Sequence, residues 1–364
     1  MIPKCNERRT YESSVDGFNG TFIDTIRYLL LLGVILIHCR FDIPGQGFGA
    51  AQLTMSFVSG TLTSLCVPFY FLIAGFLFFY GVGKFDTSAY IRKLRKRVLT
   101  LFIPYFIWNI IGLICLLIKL LPSFRSYFPQ YGVIEPDFVS IIKGFWSFSL
   151  ISPSLVPYPY DFVLWFVRDL IVFNLLAPVF YVAARHLKIV VFSVLVFLAA
   201  SGTALPLMNP TMVFFYFTGA VIAIKGYSLG ILYRYGKYCI LPAMVFAVLT
   251  ELQILPDCNI FRFMYCLTGI CALSYLISRL LVRNISIPKK ITGSGFFIYA
   301  FHGLYVTLCV KAVMLVIKPD SSLGYVGCYV ANFFVMYTLS TCVFYALKKL
   351  VPGVLSVMCG GRTG

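Results

Sequence analysis

The sequence predicts an all-α fold: a polytopic membrane helix bundle of about ten transmembrane helices, with N- and C-termini cytoplasmic. Three observations carry this. First, the 364 residues are 60% hydrophobic and only 12% charged, outside the range of soluble globular domains. Second, apolar runs of membrane-spanning length recur between breaks of Gly, Pro and charge. Third, the net charge of +17 sits mostly in short segments between those runs. With the N-terminus inside, about 21 of the 30 Lys and Arg fall on the cytoplasmic side and about 7 outside, the bias that fixes orientation. This pattern reads as membrane topology, so no nucleic-acid partner is expected.

The ten runs are residues 22–40, 61–81, 98–119, 162–182, 189–205, 211–224, 239–255, 262–281, 294–315 and 327–347. They divide the chain into a cytoplasmic N-terminal segment (1–21), one membrane-embedded domain (22–350) and a short Gly-rich cytoplasmic tail (351–364). The expected location is the cell inner (cytoplasmic) membrane, as a multi-pass protein among membrane lipid.

The first run, FIDTIRYLLLLGVILIHCR, carries Asp24, Arg27 and His38 within its apolar length, ahead of the terminal Arg40. At 100° per residue, Arg27 and His38 lie within roughly 20° of each other and Asp24 within roughly 40° of His38. One face carries all three. Charge in hydrocarbon is costly, so such a face is expected to line a bundle interior or a watered cavity and to mark a functional site. His38 is the candidate base, because imidazole titrates near neutral pH and can take a proton from a hydroxyl; a transient acyl carrier is the other role open to it. Arg27 keeps its charge and offers a fork for phosphate or carboxylate, with Asp24 expected to orient it. The rise from Arg27 to His38 is about 16 Å, comparable with an extended pantetheine arm. Cys39 points about 100° away from His38 and is read as packing.

The second loop crowds Lys84, Arg92, Lys93, Arg95, Lys96 and Arg97 ahead of LTLFIPYFIW. It is a positive-inside anchor that also suits a polyphosphorylated ligand, and Arg92, Arg95 and Arg97 are the candidates for binding it. The outer loop from Leu121 to Asp161 is rich in aromatics, among them Tyr127, Phe128, Tyr131, Phe145, Trp146, Phe148, Tyr158 and Tyr160. It reads equally as an aromatic belt and as a platform for sugar rings, with VSIIKGFWSF as an interfacial amphipathic helix.

The fourth run brings Trp165, Arg168 and Asp169. The last two are adjacent, point about 100° apart and are not expected to pair along the helix. Glu251, near the outer end of the seventh run, is expected to be wetted at the interface. In the ninth, Tyr299 and His302 are an i, i+3 pair read, with Trp165 and Arg168, as substrate contacts or support. Twelve scattered cysteines show no metal spacing, so no metal is expected. Cys258 and Cys328 fall in outer segments, where both a disulfide and two free thiols are open readings.

These landmarks resemble the integral-membrane acyltransferase family 3, which includes bacterial O-acetyltransferases of surface polysaccharides. Asp24, Arg27 and His38 are similar to its first-helix pattern D-x-x-R-x10-H. VPFYFLIAGFLFF (67–79) resembles its PxFFxxSGFL helix, with Ala74 in place of the usual Ser. KRVLTLFIPYFIW (96–108) resembles its basic loop and Pro-Tyr helix; LWFVRDL (164–170) and IYAFH (298–302) resemble later landmarks. The resemblance implies transfer of an acyl group, commonly acetyl, from cytoplasmic acyl-CoA to a hydroxyl of an extracytoplasmic glycan or lipid-linked saccharide. Arg27 and His38 are implied as essential, acetyl-CoA as donor substrate, and no cofactor as permanently bound. The rival class is a polysaccharide or lipid transporter using the same intramembrane charges.

Overall fold

The computed structural model describes residues 5–43, 47–81, 85–125, 138–146, 159–203, 208–255 and 259–363, and these contain helices and no strand. In chain order the principal helices are α1 (Cys5–His38), α2 (Gly49–Ser56), α3 (Cys66–Phe79), α4 (Thr87–Arg97), α5 (Ile103–Leu120), α6 (Phe138–Trp146), α7 (Trp165–Leu175), α8 (Ala177–His186), α9 (Lys188–Ser201), α10 (Pro210–Ile224), α11 (Gly236–Glu251), α12 (Ile260–Val282), α13 (Gly295–Ile317), α14 (Ser322–Leu350) and α15 (Pro352–Met358).

Each expected apolar run overlaps a helix in its described residues, the fourth being divided between two. Among the described residues, six stretches qualify as membrane spans by length and composition: Gly20–His38, Gly49–Phe79, Thr87–Leu120, Ile260–Val282, Lys289–Ile317 and Ser322–Leu350. A seventh appears if α7 and α8 count as one, while α9 and α10 are shorter apolar helices. Large apolar side chains such as Val316, 81% exposed, and Phe197, 70% exposed, cover the outer faces. Hydrocarbon, not water, is the solvent that suits them.

Proline sets the irregular places. A proline ring clashes with the carbonyl four residues back and gives no N–H, so a helix must shift its register or stop there. Pro68 follows a π-turn at Phe57–Thr61 and a 3-10 turn at Leu62–Leu65; Pro104 follows a π-turn at Val98–Phe102. Both spans therefore begin earlier than hydropathy suggests, at Gly49 and Thr87. The expected second loop is in fact helix α4, capped by Asp86, whose carboxylate accepts from the Ala89 amide at 2.8 Å. Pro178 stands at the start of α8, and the fourth run is broken between Leu175 and Ala177.

The chain forms two compact units. One comprises residues 1–85 and 178–292, the other 86–177 and 293–364. In the first, α3 and α10 meet backbone to backbone: a Cβ at Gly75 would collide with the Tyr216 carbonyl, and one at Gly219 with that of Leu72. The glycine of the IAGF motif is thus a crossing point. In the second, α13 and α14 are tied by the Tyr305 hydroxyl, 2.7 Å from both Met336 O and Ser340 Oγ.

The segment after Lys349 is an ordered element of this second unit. The indole of Trp108 donates to Met358 O at 3.1 Å, Arg362 donates to Thr100 O at 2.8 Å, and Lys348 donates to Thr363 O at 2.6 Å. Gly360, at φ +60°, lies against Thr100, a conformation and a closeness that favour glycine. Cys258 lies outside the described residues; Cys328 is a buried free thiol.

Candidate active site

In the first unit, α1 runs unbroken through Asp24, Arg27 and His38, so the shared face read from the spacing is preserved. All three are half-buried. The helix is pinned at Arg27, whose backbone carbonyl accepts a hydrogen bond from the Tyr70 hydroxyl on α3. The Arg27 guanidinium also acts electrostatically on that phenol.

Asp24 does not orient Arg27 through an ion pair. An ion pair within 4 Å forms elsewhere, between Arg168 and Asp169. The i, i+3 spacing brings the two side chains to one face without forcing their ends together.

His38 is the last residue of α1. The turn before it is held by Ser59 of the first π-turn, whose hydroxyl donates to Leu36 O at 2.6 Å. Two residues on, Thr61 donates to Glu251 Oε2 at 2.6 Å. Glu251 is therefore half-buried and engaged, not simply wetted, because the π-turn points a buried hydroxyl at it. Cys39 is wholly buried, as a packing residue should be. Tyr70, Ser59 and the Thr61–Glu251 pair escaped the sequence reading. Tyr70 lies inside the VPFYF segment, and a lone acid in an apolar helix was the available signal for Glu251.

The remaining candidates belong to the second unit. Arg92 and Arg95 are exposed on α4 and Arg97 is half-buried. The Tyr90 hydroxyl joins α4 to α7 by donating to Leu175 O at 2.9 Å. Arg168 and Asp169 do pair, against expectation: Nε and an Nη of Arg168 lie 2.9 and 2.7 Å from Asp169 Oδ1. The Cβ directions diverge, yet the long arginine stem folds back to its neighbour. Both are buried, where an unpaired charge is expensive.

Tyr299 donates its hydroxyl to Val163 O and so fastens α13 to the segment that precedes Trp165. His302 is completely buried, with Nδ1 3.1 Å from Ile298 O. That contact assigns the Nδ1–H tautomer and leaves the lone pair on Nε2. Trp165 is half-buried. Of the outer-loop aromatics, Tyr127, Phe128, Tyr131, Phe148 and Tyr158 lie outside the described residues. Phe145 and Trp146 on α6 pack edge-on against Tyr160 and Tyr105, at 5.2 and 5.9 Å. The amphipathic segment is thus a helix seated on protein. No group of three or more His, Cys, Asp or Glu at metal-holding distance occurs among the described residues.

A cationic fork and an imidazole on one helical face, about 16 Å apart along the axis, can hold an anion at one end and move a proton at the other. Among known families, the one described as "Acyltransferase domain" matches residues 21–345. No curated protein and no solved structure matches the chain.

Proposed function

The chain belongs to acyltransferase family 3, and on that premise we propose that it is a membrane O-acyltransferase carrying an acyl group, acetyl in the simplest case, from cytoplasmic acyl-CoA to a hydroxyl of an extracytoplasmic glycan or lipid-linked saccharide. The observation that carries this reading is the unbroken helix that keeps Arg27 and His38 on one face within the matched region.

In this mechanism neutral His38 takes the proton of the acceptor hydroxyl as its oxygen attacks the thioester carbonyl. The new C–O bond forms, the C–S bond breaks, and the departing thiolate receives the proton from the imidazolium. Arg27 pairs with phosphate of the donor; in the second unit, Arg92, Arg95 and Arg97 of α4 attract polyphosphorylated anions at the cytoplasmic side. Trp165, Arg168, Tyr299 and His302 support the second unit. The inner (cytoplasmic) membrane is the location that fits a cytoplasmic donor and an exported acceptor.

One observation favours the rival transporter reading: the discontinuous pair α7 and α8, of the kind that lines transport sites. The two readings separate on acetyl-CoA, which a transporter ignores. The decisive variant is His38→Ala: acyl transfer to surface glycan, followed by mass spectrometry, is expected to disappear while the protein still folds in the membrane. Wild-type transfer by that variant would remove His38 from the mechanism.

A further inference from the structure

Asp161 closes the outer loop in sequence, yet the fold draws it between the middles of two helices of its unit. A Cβ at Gly112 of α5 would stand 2.7 Å from Asp161 N, and one at Gly303 of α13 would stand 2.5 Å from Asp161 Oδ1. Both helices carry a glycine at the point where this residue passes.

The backbone of Asp161 is fully engaged. Its amide faces Asn109 Oδ1 at 3.4 Å and its carbonyl accepts from the Leu164 amide at 3.0 Å. Asn109, itself wholly buried, is held by donating to Tyr105 O at 2.9 Å. The carboxyl group is not engaged. Asp161 is 1% exposed, and neither carboxyl oxygen has a hydrogen-bond partner among the described residues. It stands at the head of the 3-10 turn Phe162–Leu164 without capping it. The Val163 amide faces it but falls short of hydrogen-bond geometry. Lys119 on α5 acts on it electrostatically from beyond ion-pair distance.

A buried carboxyl without donors is destabilising, and such groups in membrane proteins mark function by default. A residue with its backbone fixed and its buried carboxyl oxygens unpartnered is a preorganised acceptor for donors that the protein does not itself supply. The surroundings specify what brings those donors. Next to Asp161, α6 covers two rings, Phe145 lying edge-on to Tyr160 and Trp146 to Tyr105, and is fastened by their phenols: Tyr160 donates to Ile141 O at 2.8 Å and Tyr105 to Phe145 O at 2.5 Å. A carboxylate for hydroxyls beside aromatic faces for C–H surfaces is the chemistry that recognises a sugar ring.

We propose that Asp161 is an acceptor-binding residue, its unpartnered carboxyl oxygens taking hydrogen bonds from hydroxyls of the saccharide once α6 lifts from the Tyr105 and Tyr160 rings. This rests on the acyltransferase reading for the identity of the ligand as acceptor, but binding is testable apart from catalysis.

The experiment compares full-length wild type with Asp161→Asn, in detergent, by saturation-transfer NMR. The probes are methyl glycosides of glucose, galactose, mannose and N-acetylglucosamine. Binding of at least one by wild type, weakened at least tenfold in Asp161→Asn, is expected, together with an unchanged or raised unfolding temperature of the variant. Equal binding by both proteins, no binding by wild type, or failure of the variant to fold overturns the proposal. Acetyl-CoA binding, measured in parallel, reports on the acyltransferase reading alone: wild type that does not bind it defeats that reading and leaves the saccharide result to stand by itself.

Discussion

The hydroxyl of Tyr70, on α3, donates to the backbone carbonyl of Arg27, on α1. A side chain of the second span thereby grips the first at the residue expected to hold the donor. Tyr70→Phe removes the donor and keeps the ring. One buried hydrogen bond contributes about 1 kcal/mol, so the variant is expected to fold and to lose acyl transfer several-fold through a raised KM for acyl-CoA. Unchanged KM would show that the grip does not position Arg27.

The α3–α10 crossing is expected to be intolerant of a single methyl. Gly75→Ala and Gly219→Ala each place a Cβ against backbone that has no flexible end to move aside, and overpacking of this kind costs about 1–3 kcal/mol. Thermal unfolding in detergent should show both variants lowered. Gly327→Ala, on α14 where nothing lies within 4 Å, is the control and should match or exceed wild type.

The buried Arg168–Asp169 pair predicts an asymmetry. Arg168→Met alone strands a buried carboxylate and should cost about 3–5 kcal/mol. The double variant Arg168→Met, Asp169→Leu replaces the pair with apolar volume and should recover most of that loss. Additive losses in the thermal unfolding of the two single variants and the double would contradict this.

The docked tail predicts a silent cysteine. Cys359 is completely buried, and burial pushes its thiol up to about 12, with nearby Arg362 pulling weakly the other way. A raised value keeps the neutral thiol throughout pH 7–9, so maleimide labelling, read by peptide mass spectrometry, should stay slow across that range. Arg362→Ala removes the hydrogen bond to Thr100 O and is expected to speed labelling at least tenfold. Fast labelling of wild type would mean that the tail does not stay docked.

What the sequence determined by itself is the helical, membrane-embedded class and the face shared by Asp24, Arg27 and His38. Both follow from local rules: twenty apolar residues must satisfy their own backbone, and 3.6 residues per turn fixes which side chains align. The number of true spans was less legible, since hydropathy does not register where a proline forces a π-turn or a break, as at Pro68, Pro104 and Pro178. Tertiary structure alone decided the rest. Whether Arg168 turns to its neighbour, whether Glu251 meets Thr61, and whether Asp161 ends on the surface or between two mid-helix glycines depends on which backbones approach one another. Those contacts join residues up to 190 positions apart along the chain, and no periodicity within a single helix encodes them.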